Sequence, residues 1–137
     1  MTALGIVPVL RYKDARSAIN WLCETWGFEE QLVVEGPDGS IQHAVLSLGK
    51  AFIMLASTSA EGSYSQFTKQ PDEIEGKETQ SPYLIVENPE LLFELAKEHG
   101  AKILLKLEKE DYGGSNFTCA DPEGHIWSFG SYNPFEK

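Results

Sequence analysis

Four turn and cap positions recur at one spacing along the chain, and that recurrence constrains the fold more than any local pattern. Asp14 and Asn88, each placed to cap a helix, lie 74 residues apart, Gly27 and Gly100 lie 73 apart, and Gly39 and Gly114, like Gly49 and Gly124, lie 75 apart. In a chain of 137 residues such agreement marks two copies of one structural unit.

The content of each copy can be read between those marks. Gly5 to Tyr12 is an extended apolar run whose Pro8 disfavours helix and suits a first or edge strand. Asp14 then offers an N-cap, and Ala15, Ala18, Ile19, Leu22, Cys23 and Trp26 fall on one helical face that Gly27 terminates. Phe28 to Glu35, Ile41 to Leu48 and Ala51 to Ser57 read as strands separated by Gly36-Pro37-Asp38-Gly39 and Leu48-Gly49-Lys50 turns. Residues 58 to 79 lack periodicity and read as a mobile surface loop. The program restarts with a strand at Ser81 to Glu87. A helix follows, capped by Asn88 and begun by Pro89, with Leu91, Leu92, Leu95, Ala96 and His99 as its buried stripe. Strands at Lys102 to Leu107, Asn116 to Ala120 and His125 to Tyr132 complete it, the last launched by the Asp121-Pro122-Glu123-Gly124 turn.

The expected fold is therefore α+β: two tandem βαβββ modules, module one about 4–58 and module two about 80–133, joined by a loop at about 59–79 in a single domain. One helix covers only one face of a four-stranded sheet, so the other face must meet something else. Two such faces opposed would make a cup or half-barrel around a cavity, with strand alternation choosing its lining.

Charge narrows the partners. A formal net charge of -10 excludes nucleic acid and anionic membrane, which need a basic face, and favours neutral or cationic small molecules. No apolar run approaches a membrane span and Met1-Thr2-Ala3 opens no charged signal segment, so the chain reads as cytoplasmic. Cys23 and Cys119 form no disulfide or zinc pattern and read as small buried hydrophobes. Trp21, outside its helix's stripe, reads as a flanking aromatic that meets a partner chain or lies partly buried under a loop.

The doubled unit, Leu10-Arg11-Tyr12 with Asp14 opening the first helix, and Asp121-Pro122-Glu123-Gly124 before the last strand together resemble the glyoxalase, bleomycin resistance protein and extradiol dioxygenase superfamily, also called vicinal oxygen chelate proteins. The resemblance covers nearly the whole chain. It implies paired βαβββ modules, a homodimer, and metal ligands near the first and last strand of each module. Matched to that pattern, the ligand positions fall on Val7, at or near Met54, on Ser81 or Pro82, and on Ser128. None is an imidazole or carboxylate, so no metal and no other cofactor is expected. Arg11 matches a position that contacts a substrate carboxylate in glyoxalase I, and its guanidinium can grip an anion or pair with an acidic residue at the sheet rim.

Alternation aims Val7, Val9 and Arg11, then Phe52, Met54 and Ala56, then Ile126, Ser128 and Gly130 into the cup, an apolar lining with a few polar groups. Tyr83, Tyr112 and Tyr132 supply stacking area and hydroxyls, with core or rim packing as the alternative. His43, with Ile41, Val45 and Ser47 on its strand face, reads as a partly buried, hydrogen-bonded imidazole; His125, after a turn, reads as half exposed; His99 suits a helix C-terminus. The ligand-binding set is thus Arg11, His43, Phe52, Met54, Tyr83, Tyr112 and Ser128. One reading is a metal-free protein that sequesters a cationic or aromatic drug-like molecule. Another is a lyase, isomerase or dioxygenase of the superfamily using a non-standard metal site or proton transfer by His43 or Tyr112. A third is an interaction module in which Trp21 and Phe93 matter more than the cup.

Overall fold

The computed structural model describes residues 1–60, 62 and 64–136. It divides into two compact units, Met1–Gln70 and Pro71–Lys137, and the division falls inside the expected loop. In the first unit β1 (Val9–Tyr12) leads to α1 (Ala15–Trp26), then β2 (Glu29–Glu35), β3 (Ile41–Leu48) and β4 (Ala51–Ser57). The second unit repeats this as β5 (Tyr83–Ile85), α2 (Pro89–Glu98), β6 (Lys102–Lys109), β7 (Ser115–Ala120) and β8 (Ile126–Gly130). The sheets have equivalent orders, β1-β4-β3-β2 and β5-β8-β7-β6. In each, the first strand pairs parallel with the last and the other pairs are antiparallel. The fold is thus α+β with two βαβββ modules and two open sheets, and among the described residues no helix is long and apolar enough to cross a membrane.

Both helices start where side-chain acceptors replace missing backbone partners. Asp14 Oδ1 accepts from the Ser17 N–H at 3.1 Å, and Asn88 Oδ1 from the Leu91 N–H at 3.3 Å. Gly27 closes α1 in the left-handed conformation, at φ 85°, where its N–H donates to the Cys23 carbonyl. The buried stripe of α1, Ile19, Leu22 and Trp26, meets Leu10, Tyr12, Ala44, Leu46, Ile53 and Leu55 from the sheet. Each such aliphatic side chain contributes about 1.5–3 kcal/mol by leaving water. In the second unit Leu84, Phe117, Cys119, Trp127 and Phe129 form the equivalent layer, with Phe117 stacked on Phe129 at 5.4 Å and Phe93 edge-on to Phe117 at 5.2 Å.

Several expectations need correction. The stripe of α2 runs through Pro89, Leu92, Phe93 and Ala96, so Leu91 lies about 200° round the helix from Pro89 and is 53% exposed, while His99 caps the exposed end. Cys119 is buried but Cys23 is only partly so. Trp21 is partly buried, one of its two expected placements, but it packs edge-on against Trp26, ring centroids 5.1 Å apart. Strand β1 begins at Val9 rather than Gly5, and β5 is only Tyr83–Ile85.

The loop is also more ordered than its composition suggests. It contains 3-10 turns at Tyr64–Phe67 and Pro71–Glu73, although Glu61 and Ser63 lie outside the described residues. Pro71 is buried, its carbonyl accepts from Ile74 and Gly76, and it packs against Gly124, where an added Cβ would come within 3.0 Å of the proline ring. Glu78 Oε1 lies 2.7 Å from His125 Nδ1. That contact explains why His125 is 7% exposed instead of half exposed.

Asp121 organises the final turn. Its backbone carbonyl accepts from the Gly124 N–H at 2.8 Å, closing the expected four-residue turn. Its side chain, in a residue 5% exposed, accepts from the N–H groups of Glu123 and His125 and from Trp127 Nε1, each at 3.0 Å. Sequence thus turns into register: one carboxylate fixes the turn, the tryptophan below it, and the start of β8.

Candidate functional site

Each helix covers one face of its sheet, and strand register decides what the other face presents. In the first unit Val9 lies beside Met54 and Arg11 beside Ala56, Met54 is opposite Val45, Ser47 opposite Phe52, and His43 opposite Val34. Adjacent partners share a face, so Arg11, His43, Phe52 and Met54 stand together on the uncovered side, as alternation predicts. Val9, Phe52, Leu32 and Val34 are exposed there, while His43 and Met54 are half-buried. The Arg11 guanidinium lies 4.9 Å from the centre of the Tyr64 ring, and its Nη1 donates to the Ser57 carbonyl at 3.4 Å. Gln70 Nε2 donates to the Arg11 carbonyl at 2.8 Å. Tyr64 was not foreseeable from periodicity, because it belongs to the aperiodic loop.

The uncovered face of the second unit is built in two rows. One runs Tyr83, Ser128, Thr118, Leu105; the next runs Ile85, Gly130, Asn116, Glu108. The Ser128 and Thr118 hydroxyls are 2.8 Å apart and bonded to each other. The Tyr83 ring leans over Gly130: a Cβ added there would collide with the Tyr83 hydroxyl and come within 2.8 Å of Asn116 Cβ. Glycine is required at this position for close approach of a ring, not for its backbone angle. Tyr83 donates its hydroxyl proton to the Tyr132 carbonyl at 2.9 Å, and Asn116 Nδ2 donates to the Tyr112 hydroxyl at 3.0 Å. The Tyr112 and Tyr132 rings meet edge to face, 5.0 Å between centres and 90° between planes. These rings remain accessible, with Tyr83 40%, Tyr112 60% and Tyr132 40% exposed. Burial pushes the Tyr83 phenol above its ordinary pKa and Tyr112 adds to the rise, while the hydrogen bond to the Tyr132 carbonyl works against it.

The structure therefore gathers Tyr83, Tyr112 and Ser128 on one face of the second sheet and Arg11, His43, Phe52 and Met54 on one face of the first. Asn116 and Gly130 prove central to the tyrosine group. Asn116 had a signal in the sequence, being a polar residue at an alternation position shared with the expected lining.

The positions that the resemblance matches to metal ligands carry no imidazole or carboxylate. Val7 is an exposed hydrocarbon, Met54 a thioether between Val9 and Val45, and Ser128 a hydroxyl already bonded to Thr118. Ser81 and Pro82 offer no imidazole or carboxylate either. This donor set does not fit a divalent cation. Among the described residues no group of three or more His, Cys, Asp and Glu side chains is placed to hold one.

Comparison with known proteins sets these observations in a family. An uncharacterized protein of Mycobacterium bovis is 30% identical over 126 residues, which is 92% of this chain and 82% of that protein. Among solved structures, TioX from Micromonospora sp. ML1 superposes with a TM-score of 0.67 at 24% identity, covering 94% of this chain and 100% of TioX. A variant of the fosfomycin resistance protein FosX from Listeria monocytogenes, complexed with Mn(II) and 1S,2S-dihydroxypropylphosphonic acid, superposes with a TM-score of 0.69 at 13% identity, covering 97% and 94% of the two chains. These likenesses establish the fold. The family model of the Glyoxalase/Bleomycin resistance protein/Dioxygenase superfamily matches residues 5–129, and with the doubled βαβββ architecture this shows that the chain belongs to that superfamily.

Proposed function

We propose that this protein is a metal-independent binding protein for a small organic molecule, held on an uncovered sheet face, and that it acts as a homodimer that sequesters its ligand without transforming it. The observation that carries the reading is the make-up of the uncovered faces. On the first sheet exposed Val9 and Phe52 share a face with Arg11, and on the second exposed Tyr83 shares a face with the Ser128–Thr118 pair and Asn116. A largely apolar surface with sparse, fixed polar groups is the usual make-up of a small-molecule site. The side chains at the superfamily's ligand positions support a site that works without an ion.

A thermal-shift panel of neutral and cationic aromatic antibiotics tests this directly. A ligand that binds only the folded state at 100 times its Kd adds about 2.7 kcal/mol, raising the melting temperature with concentration. A flat response across the panel, for protein whose elemental analysis shows no metal, refutes the binding reading. Stoichiometric metal retained through purification refutes metal independence and turns attention to lyase, isomerase or dioxygenase chemistry. Light scattering tests the dimer, and a monomer at working concentrations overturns that part.

A further inference from the structure

Resting on the reading that an uncovered face takes a ligand, we infer that Tyr83, Tyr112, Tyr132 and Glu108 form a recognition site for an organic ammonium group. The argument begins with register. Glu108 is the direct cross-strand partner of Asn116, so its carboxylate stands on the same face as the amide that holds the Tyr112 hydroxyl. Asn116 is in turn opposite Gly130, over which Tyr83 leans. Three rings and one carboxylate thus converge on one corner of the sheet.

The charge pattern of that corner selects the ligand. Lys109 pairs with Ser115, the residue adjacent to Asn116, and so projects to the opposite face. Lys102, opposite Ala120 and hence beside Ile126, shares the face, and Lys106 lies in the irregular stretch of β6 between Leu105 and Glu108. Ala120, the partner of Lys102, lies four residues along β7 from Asn116, about 13 Å at 3.3 Å per residue. Beside the amide that holds the Tyr112 hydroxyl, the charge that register places is the Glu108 carboxylate.

Ring geometry points the same way. Perpendicular Tyr112 and Tyr132 expose faces whose quadrupoles attract a cation, and neither ring is sealed. Because Tyr83 donates its proton to the Tyr132 carbonyl, its oxygen is left with acceptor capacity alone.

The test uses the full chain and a matched pair of probes: choline, and its uncharged isostere 3,3-dimethylbutan-1-ol, titrated by NMR. Cation–π attraction at partly exposed to desolvated sites predicts that choline binds about 2- to 30-fold more tightly than the isostere. Glu108→Gln and Tyr112→Ala should each narrow that gap, whereas Tyr112→Phe, which keeps the ring, should preserve most of it. A peptide carrying trimethyllysine, run in parallel, distinguishes a free ammonium from one borne on a polypeptide, and binding of either supports the site. Equal affinity for the charged and uncharged probes, or no choline binding, overturns the inference. If neutral aromatic compounds still stabilise the protein in that case, the broader binding proposal stands and only the ammonium assignment falls.

Discussion

Replacing Asp121 by alanine should cost this protein more stability than any other single change at a polar residue of the final turn. The carboxylate accepts three hydrogen bonds at 3.0 Å, from the N–H groups of Glu123 and His125 and from Trp127 Nε1. His125 and Trp127 are buried, so two donors lose their acceptor where water cannot readily replace it, while the Glu123 N–H can be rehydrated. At about 1–3 kcal/mol for each unsatisfied buried donor, the expected loss is about 3–4 kcal/mol, against a total of about 5–15 kcal/mol for a domain. With a urea m-value of about 1.5–2 kcal/mol/M, the unfolding midpoint should fall by about 2 M.

Asp121→Asn separates the two halves of this carboxylate. An amide oxygen can still serve the two backbone N–H groups, but its NH2 then faces the Trp127 indole N–H, donor against donor. About half of the alanine loss should appear. Urea titration followed by tryptophan fluorescence and far-UV circular dichroism reads both variants. A midpoint for Asp121→Ala within about 0.3 M of the parent would show that the turn is held by backbone geometry alone, and the reasoning would fail.

Other perturbations probe other links. Gly130→Ala places a Cβ against the Tyr83 hydroxyl and Asn116 Cβ, so Tyr83 must leave the Tyr132 carbonyl; overpacking of this kind costs about 1–3 kcal/mol, and unchanged stability with unchanged Tyr83 NMR shifts would contradict it. The backbone N–H and then the hydroxyl of Ser17 hold the Asp14 carboxyl below its ordinary pKa, so its contribution is complete above the usual carboxylate range and is lost as pH falls through the depressed value. Asp14→Ala should accordingly cost about 0.5–2 kcal/mol near neutral pH and progressively less in acid, and a pH-independent loss would remove the capping account. Burial, with a lesser push from Asp121, raises the Cys119 thiol to about 12, so a disulfide reagent at pH 8 should modify Cys23 alone until urea is added. Rapid modification of both thiols in the native state would overturn this.

Much of the fold was legible because its signals are local and repeated. Asp14 and Asn88 announce helix starts, Gly27 closes α1, and the turns at Gly39, Gly49, Gly114 and Gly124 part strands whose lengths follow from alternation. The exposure of Leu91 could not be read, since a helix of ten residues can place its stripe on either of two leucine rows and only the position of Phe117 decides. His125 looked half exposed because its partner, Glu78, is 47 residues away in a segment without periodicity. Of the candidate site, face membership was legible from alternation. The contacts that orient the tyrosines were not, because they run from side chain to side chain across strands.

The duplication itself explains why the two uncovered faces differ, and the difference can be tested. With a 74-residue offset, Val9 and Met54 correspond to Tyr83 and Ser128, and Arg11 and Ala56 to Ile85 and Gly130, each pair adjacent in its own sheet. Tyr83 can lie flat because Gly130 has no Cβ. The equivalent Ala56 has one, and a valine at position 9 is too short to reach it. Val9→Tyr should therefore be poorly accommodated alone, with the ring driven off the sheet, but better accommodated in the Ala56→Gly background. A double-mutant cycle should return a favourable coupling of about 0.5–3 kcal/mol, the range for residues in contact. Coupling near zero would mean that ring placement on these faces is set by something other than the missing methyl group. The reading of Gly130 as the foundation of the tyrosine group would then have to be abandoned.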